Sequence, residues 1–423
     1  MTLSIRTDRR LIRAGARSTR YLKIDYTAPR AEQREGRMPV NVAFVLDRSG
    51  SMAGENKFTL AREAVEQSLR MLRPEDRFAL VVYDSQVDVI SLSALATPRA
   101  IRHAMDALSG IGPRNSTDLC SGWMRGCEQV ADFVSEERIT RVLLLTDGLA
   151  NQGITDRDTL ARHASGLRER GVSTSTFGVG ADFDERLLRD MAHEGGGNFY
   201  YLQDARQIPD LITSELGEAL EVVIPRAVLE LELPRGANAE VLNRFRSSRA
   251  AGDNMLRIEL GDLTSAQQVE VLVLVNFARG EIGERVTVQA RLDGASMPDT
   301  VGSADIDWTY ASHEENDRQP RDREVDRSVA DIYATRARAD ATEANRHGDF
   351  DAARRVIEAT AQRIRQYAGD DPELNESLNR LLREMPQYDQ AVMSPMSMKA
   401  AFYAAEVAYK GRAIDGKARK APR

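Results

Sequence analysis

Three short polar segments of this 423-residue chain set carboxylates beside hydroxyls, two of them at the ends of apolar runs. Asp47-Arg48-Ser49-Gly50-Ser51 follows Val40–Leu46 (VNVAFVL), so a carboxylate and two hydroxyls leave one tight loop at alternating positions. Asn115-Ser116-Thr117-Asp118 lies in a polar loop that opens a helix, and Thr146-Asp147-Gly148 closes the run VLLLT. In a doubly wound sheet such loops emerge beyond the carboxyl ends of the strands, where ligands bind. Hard oxygen donors of this kind suit Mg2+ or Mn2+, and the segments lack the sulfur and imidazole donors that favour zinc. Taken alone, the first segment reads equally as a helix N-cap with a spare Asp, since both residue types satisfy free helix N–H groups. The two other segments favour the cation.

The elements that must position these loops are legible from hydrophobic pattern. Val40–Leu46, Phe78–Tyr83 and Val142–Thr146 are short, nearly continuous apolar runs, as strands covered on both faces require, and Val172–Val179 reads as a further strand. Helical stretches separate them: material through Leu72, then Pro98–Leu108, Leu119–Val134 and Thr159–Arg170. Asn198–Leu202 and a helix around Ile208–Leu220 complete the set. Buried strands alternating with helices predict a mostly parallel, Rossmann-like doubly wound sheet over residues 39–222.

On either side the period changes. Leu22, Ile24 and Tyr26 share one face of a strand, with Lys23 and Asp25 on the other. After Pro225, Leu229, Leu231 and Leu233 alternate with Glu230 and Glu232, and Val286, Val288, Ala290 and Leu292 alternate with polar residues. Val269–Phe277 reads as a longer, more buried strand between them. Short strands at this spacing predict an antiparallel β-sandwich over 223–312. The N-terminal strands, 1–38, have no other sheet to join, so the α/β domain is expected as an insertion in that sandwich, entered through a polar linker at Ala31–Met38. Residues 313–423 read as a C-terminal α-helical region: Phe350, Ala353, Ile357, Ala361, Ile364 and Tyr367 recur at helical steps. Its end, Lys410–Arg423, is basic and is expected as a frayed, solvated tail.

Residues 39–220 resemble a von Willebrand factor A (VWA) domain, on the pattern Asp-x-Ser-x-Ser, a distant Thr and a distant Asp. Asp47, Ser49, Ser51, Thr117 and Asp147 meet that pattern in order, each in strand-end or loop context. The resemblance implies a metal-ion-dependent adhesion site (MIDAS) holding Mg2+, with Mn2+ or Ca2+ as alternatives. It implies Ser49, Ser51 and Thr117 as direct or nearly direct ligands, and Asp47 and Asp147 acting mostly through bound water. A partner protein's Asp or Glu would complete the shell, making the metal an adhesion point. The position after Thr117 is Asp118, where relatives often have Asn; its carboxylate either raises metal affinity or weakens attraction for an acidic partner. The sandwich and helical end give a looser likeness to bacterial chloride-channel-like or inter-alpha-inhibitor-like VWA proteins. In relatives the last helix of the domain shifts with ligand, so partner engagement is expected to change the orientation of the two domains.

Other chemistries fail on particular residues. Gly54-Glu55-Asn56-Lys57 lacks the glycine spacing of a phosphate loop, and Gly178-Val179-Gly180 lacks the third glycine of a dinucleotide fingerprint. His193-Glu194 is followed by glycines, not by a second His. His103, His163, His193, His313 and His347 stand in no triad context, so Ser49 and Ser51 have no evident base. No enzymatic activity is expected. Cys120 and Cys127, seven apart on a helix, lie roughly 10 Å apart along its axis, too far to bridge. A formal charge of −7 argues against a general nucleic-acid binder. With no signal-like or ~18-residue apolar stretch the chain is expected to be cytoplasmic, and the resemblance implies a metal-dependent protein-binding scaffold, expected as a monomer. The alternative is a non-catalytic subunit of an AAA+ ATPase assembly, in chelation or maturation, or of a kinase–phosphatase signalling complex.

Overall fold

The computed structural model describes residues 2–31, 37–114, 116–250, 253–294 and 302–422. Asn115 and residues 32–36 of the expected linker lie outside them. The strands are β1 (Thr2–Thr7), β2 (Leu11–Arg13), β3 (Ser18–Thr27), β4 (Val40–Asp47), β5 (Arg77–Tyr83), β6 (Val87–Leu95), β7 (Ile139–Thr146), β8 (Ser173–Val179), β9 (Gly196–Leu202), β10 (Val222–Glu232), β11 (Asn238–Val241), β12 (Arg246–Ser248), β13 (Met255–Thr264), β14 (Gln268–Phe277), β15 (Arg285–Asp293) and β16 (Ser303–Ala311). The helices are α1 (Lys57–Met71), α2 (Pro98–Ser109), α3 (Leu119–Ala131), α4 (Arg157–Glu169), α5 (Glu185–Glu194), α6 (Ile208–Ala219), α7 (His313–Arg318), α8 (Arg323–Arg346), α9 (Phe350–Ala368), α10 (Pro372–Glu384), α11 (Pro386–Asp389) and α12 (Pro395–Tyr409). Two compact units result: Met1–Ala31 with Val223–Ser394 and Ala404–Arg423, and Glu32–Val222 with Pro395–Tyr403.

In the first unit the N-terminal strands pair with strands that follow the α/β segment. One sheet has the order β1-β3-β14-β11, and the other β12-β13-β10-β15-β16-β2. Alternation does the positioning: Leu22 and Ile24 of β3, Val271 and Val273 of β14, Leu231 of β10, Ala290 of β15 and Trp308 of β16 share one core. The pairs β1–β3, β3–β14, β14–β11, β12–β13, β10–β15 and β15–β16 are antiparallel, whereas β2 runs parallel to β16. The extra burial expected of β14 has a physical source: its other face is covered, Leu272 packing with Val325, Val329 and Ile332 of α8. Ala353, Ile357, Ala361 and Ile364 of α9 pack against Ala330, Ala334 and Ala337 of α8 and Leu374, Leu378 and Leu381 of α10. The basic end corrects the expectation of a frayed tail. Gln268 N–H donates to the Arg419 carbonyl at 2.8 Å, and Ala421 N–H to the Ala266 carbonyl at 2.9 Å. Backbone pairing with the β13–β14 turn holds it, a signal that side-chain composition does not carry.

The second unit is a six-stranded sheet of order β6-β5-β4-β7-β8-β9. All neighbours are parallel except β6, which returns antiparallel to β5. Each residue of β4 is buried. Val42, Phe44 and Leu46 point into a core shared with α1 and α6, while Ala43 and Val45 point into one shared with α3 and α5. Helix α3 comes close because it presents glycines to the sheet. A Cβ on Gly122 would fall 2.3 Å from Tyr83 Cγ, and one on Gly126 2.2 Å from Val45 Cγ2. No helix among the described residues is long and apolar enough to cross a membrane.

Candidate functional site

Strands β4 and β7 are parallel neighbours, with Leu46 opposite Leu145. Their last residues therefore leave the sheet together. Asp47, at the end of β4, is wholly buried. Its Oδ2 accepts the Thr146 hydroxyl at 2.6 Å, and its Oδ1 accepts the Ser49 N–H at 2.7 Å. The chain then turns through a 3-10 segment, Gly50–Asn56. Ser49 Oγ and Ser51 Oγ lie 3.1 Å apart, and Ser51 donates to Asp147 Oδ1 at 2.6 Å. The intervening Arg48 points away: its guanidinium donates to the Gly112 carbonyl at 3.0 Å and 2.6 Å and reaches Asp88. Alternation along the loop thus separates the oxygen donors from the basic side chain.

Thr117 comes from the segment before α3. Its N–H donates to Asn151 Oδ1 at 3.1 Å, while the neighbouring Asp118 N–H donates to the Asp84 carbonyl at 2.8 Å. Its hydroxyl reaches the same space as that of Ser51. A Cβ placed on Gly148 would lie 3.6 Å from Thr117 Oγ1 and 3.8 Å from Ser51 Oγ. Asp47, Ser49, Ser51, Thr117 and Asp147 are therefore gathered at one end of the sheet. Asp118 is drawn off: it caps α3, accepting the Ser121 N–H at 3.1 Å and hydroxyl at 2.9 Å.

The electrostatics of the two carboxylates differ. Asp147 faces a cation, Lys57 Nζ at 2.8 Å from Oδ2. No basic side chain pairs with Asp47 among the described residues. Burial, reinforced by the charge of Asp147, raises Asp47 to about 6 against the hydrogen bonds of Thr146 and Ser49. A buried carboxylate without a counter-cation is costly, and neutral hydroxyls beside it are hard donors of the kind Mg2+ or Mn2+ accept. The donor set fits a divalent ion of that class. Among the described residues no three His, Cys, Asp or Glu side chains cluster as metal ligands, so hydroxyls must carry such a site. No histidine is hydrogen-bonded to Ser49 or Ser51 among the described residues.

Thr146, Asn151 and Lys57 belong to the arrangement without having been singled out for it by their spacing. Thr146 was visible as the last residue of the VLLLT run. Lys57 carries no residue signal, because its position depends on the course of the turn between Ser51 and α1.

Residues 41–214 match the family described as von Willebrand factor type A domain. The protein YfbK of Escherichia coli (strain K12) is 26% identical over 305 residues, which cover 70% of this chain and 52% of YfbK. This chain thus spans about half the length of that relative. Human inter-alpha-trypsin inhibitor heavy chain H1 is 29% identical over 216 residues, 49% of this chain and 23% of the heavy chain. A solved structure described as von Willebrand factor type A from Catenulispora acidiphila aligns with a TM-score of 0.73 over 96% of both chains at 17% identity, a likeness of fold alone.

Proposed function

Residues 41–214 of this chain form a von Willebrand factor type A domain, and we propose that the protein is a metal-dependent protein-interaction module whose site binds a partner's carboxylate. Domains of this family commonly mediate protein interactions. The observation that carries the reading is the buried carboxylate of Asp47, without a basic partner among the described residues, beside the converging hydroxyls of Ser49, Ser51 and Thr117. These three hydroxyls would hold a divalent ion, Mg2+ first, with Asp47 and Asp147 supplying the opposing charge. When bound, the ion supplies an acceptor position for an Asp or Glu oxygen of the partner.

The chain's own residues do the remaining work. Thr146 and the Ser49 amide orient Asp47, Asn151 holds the Thr117 loop, and Gly148 keeps the space in front of Thr117 and Ser51 clear of a side chain.

The test is partner capture with the full chain in Mg2+, in chelator, and with Asp47→Ala or Thr117→Ala. Partners retained only by the wild-type chain in Mg2+ are expected. The same partners in every condition would show that recognition bypasses this site.

A further inference from the structure

Lys57 sits where helix electrostatics disfavour it. It is the first residue of α1, whose first turn holds no acidic side chain and whose N-cap, Asn56, makes no side-chain capping bond. A cation at a helix N-terminus opposes the dipole. The two preceding residues, Glu55 and Asn56, have φ of 52° and 57°, left-handed backbone that Asn tolerates but that is uncommon for a residue such as Glu. These two local sacrifices deliver one group to one place. The Lys57 ammonium, its side chain 13% exposed, reaches Asp147 Oδ2 at 2.8 Å. Gly180, at φ 76° just past β8, borders it: a Cβ there would lie 3.8 Å from Nζ. The other oxygen of Asp147 accepts the Ser51 hydroxyl, so both oxygens are taken by donors from the segment that follows β4.

We propose that Lys57 is an internal cation that competes with the divalent ion for Asp147. The inference rests on the metal-site reading above and adds its regulation. Asp47, Asp147 and Lys57 together sum to a single negative charge, against two negative charges for the carboxylates alone. The ammonium therefore lowers the field that draws a divalent ion and must give up Asp147 as the ion enters. It also leaves the loaded site with a positive charge that only an anionic partner neutralises. The loop thus has a self-satisfied metal-free state and a loaded state that favours acidic partners.

The experiment titrates Mg2+ and Mn2+ into the full-length wild-type chain, Lys57→Met and Lys57→Arg by calorimetry, and follows thermal melting in chelator and in saturating Mg2+. Lys57→Met is expected to bind about tenfold tighter, to melt below wild type in chelator, and to recover in Mg2+. Lys57→Arg keeps the wild-type affinity. Lys57→Gln, which keeps a polar group beside Asp147, gives an intermediate affinity and serves if the Met variant does not fold. Equal or weaker binding by both neutral variants overturns the competition while the metal-site reading stands. Absence of binding by every form overturns both.

Discussion

Thr146 Oγ1 donates to Asp47 Oδ2 at 2.6 Å, joining the ends of two neighbouring parallel strands through the carboxylate itself. Thr146 is wholly buried, as is Asp47. The bond leaves Oδ1 to accept the Ser49 amide and so sets the direction in which the following loop departs. Thr146→Val keeps the shape and removes the donor. A buried charged acceptor that loses one bond costs about 1–3 kcal/mol. The loss is expected to be larger at pH 8, where Asp47 is ionised, than at pH 5. Urea denaturation in chelator at the two pH values measures it, and an equal loss at both would mean that the carboxylate anion is not what Thr146 stabilises.

The raised Asp47 predicts an unusual pH dependence. Its folded value of about 6 lies above the ordinary carboxylate value of about 4, so between these limits the folded chain binds more protons than the unfolded one. The metal-free protein therefore gains stability as pH falls from about 6 to about 4, and loses it as pH rises through that window. The amplitude is bounded by about 3 kcal/mol for two pKa units. Asp47→Asn should remove this component from denaturation curves recorded in chelator.

The same group would make the proposed cation binding pH-sensitive in the opposite sense. Protons compete with a divalent ion for Asp47, so Mg2+ affinity should fall by up to about tenfold per pH unit below 6 and level off above 7. Calorimetric titrations from pH 5 to 8 test this. A flat profile would place the ion away from Asp47.

Gly126 predicts how closely α3 must approach for Thr117 to be in place. A Cβ there would sit 2.2 Å from Val45 Cγ2, and overpacking of this kind costs about 1–3 kcal/mol. Gly126→Ala should destabilise the domain and, by lifting α3 from β4, weaken Mg2+ binding. Gly166, inside α4, has open space around its Cα, so Gly166→Ala should instead stabilise by about 0.5–1 kcal/mol and leave Mg2+ affinity unchanged. Matching behaviour of the two variants in both measurements would refute the packing argument.

Much of this was legible from residue pattern, because parallel strands buried on both faces leave continuous apolar runs and their ends must share an edge. Asp47 and Asp147 were placed together on that ground alone. The sandwich was legible for a related reason: Leu22, Ile24 and Tyr26 alternate with polar residues and needed a second sheet to cover them. Strand β6 was missed, since Val87–Leu95 is an edge strand whose residues are half-buried or, at Leu92 and Leu95, exposed and whose pattern lacks a clean apolar run. Lys57 was invisible because two left-handed residues, not a spacing rule, aim it. The role of Asp118 was undecided from sequence; the cap on α3 takes its carboxylate.

The network that secures α6 to the sheet supplies the last prediction. Glu215, wholly buried, accepts from Arg141 of β7 at 2.9 Å, Ser175 of β8 at 2.6 Å, and Asn198 and Tyr200 of β9 at 3.1 Å and 2.5 Å. One carboxylate thus ties the last helix of the domain to three adjacent strands. Removing a single partner of such an ion pair strands a buried charge and costs about 3–5 kcal/mol. Arg141→Met should therefore be strongly destabilising, as should Glu215→Leu. The double variant removes both members of this pair, and its loss should fall short of the summed single losses by at least about 1 kcal/mol. Hydrogen exchange across Ile208–Ala219 adds a local readout. Arg141→Met should raise exchange there selectively, whereas additive losses with uniform exchange would mean that α6 is held by apolar packing and not by Glu215.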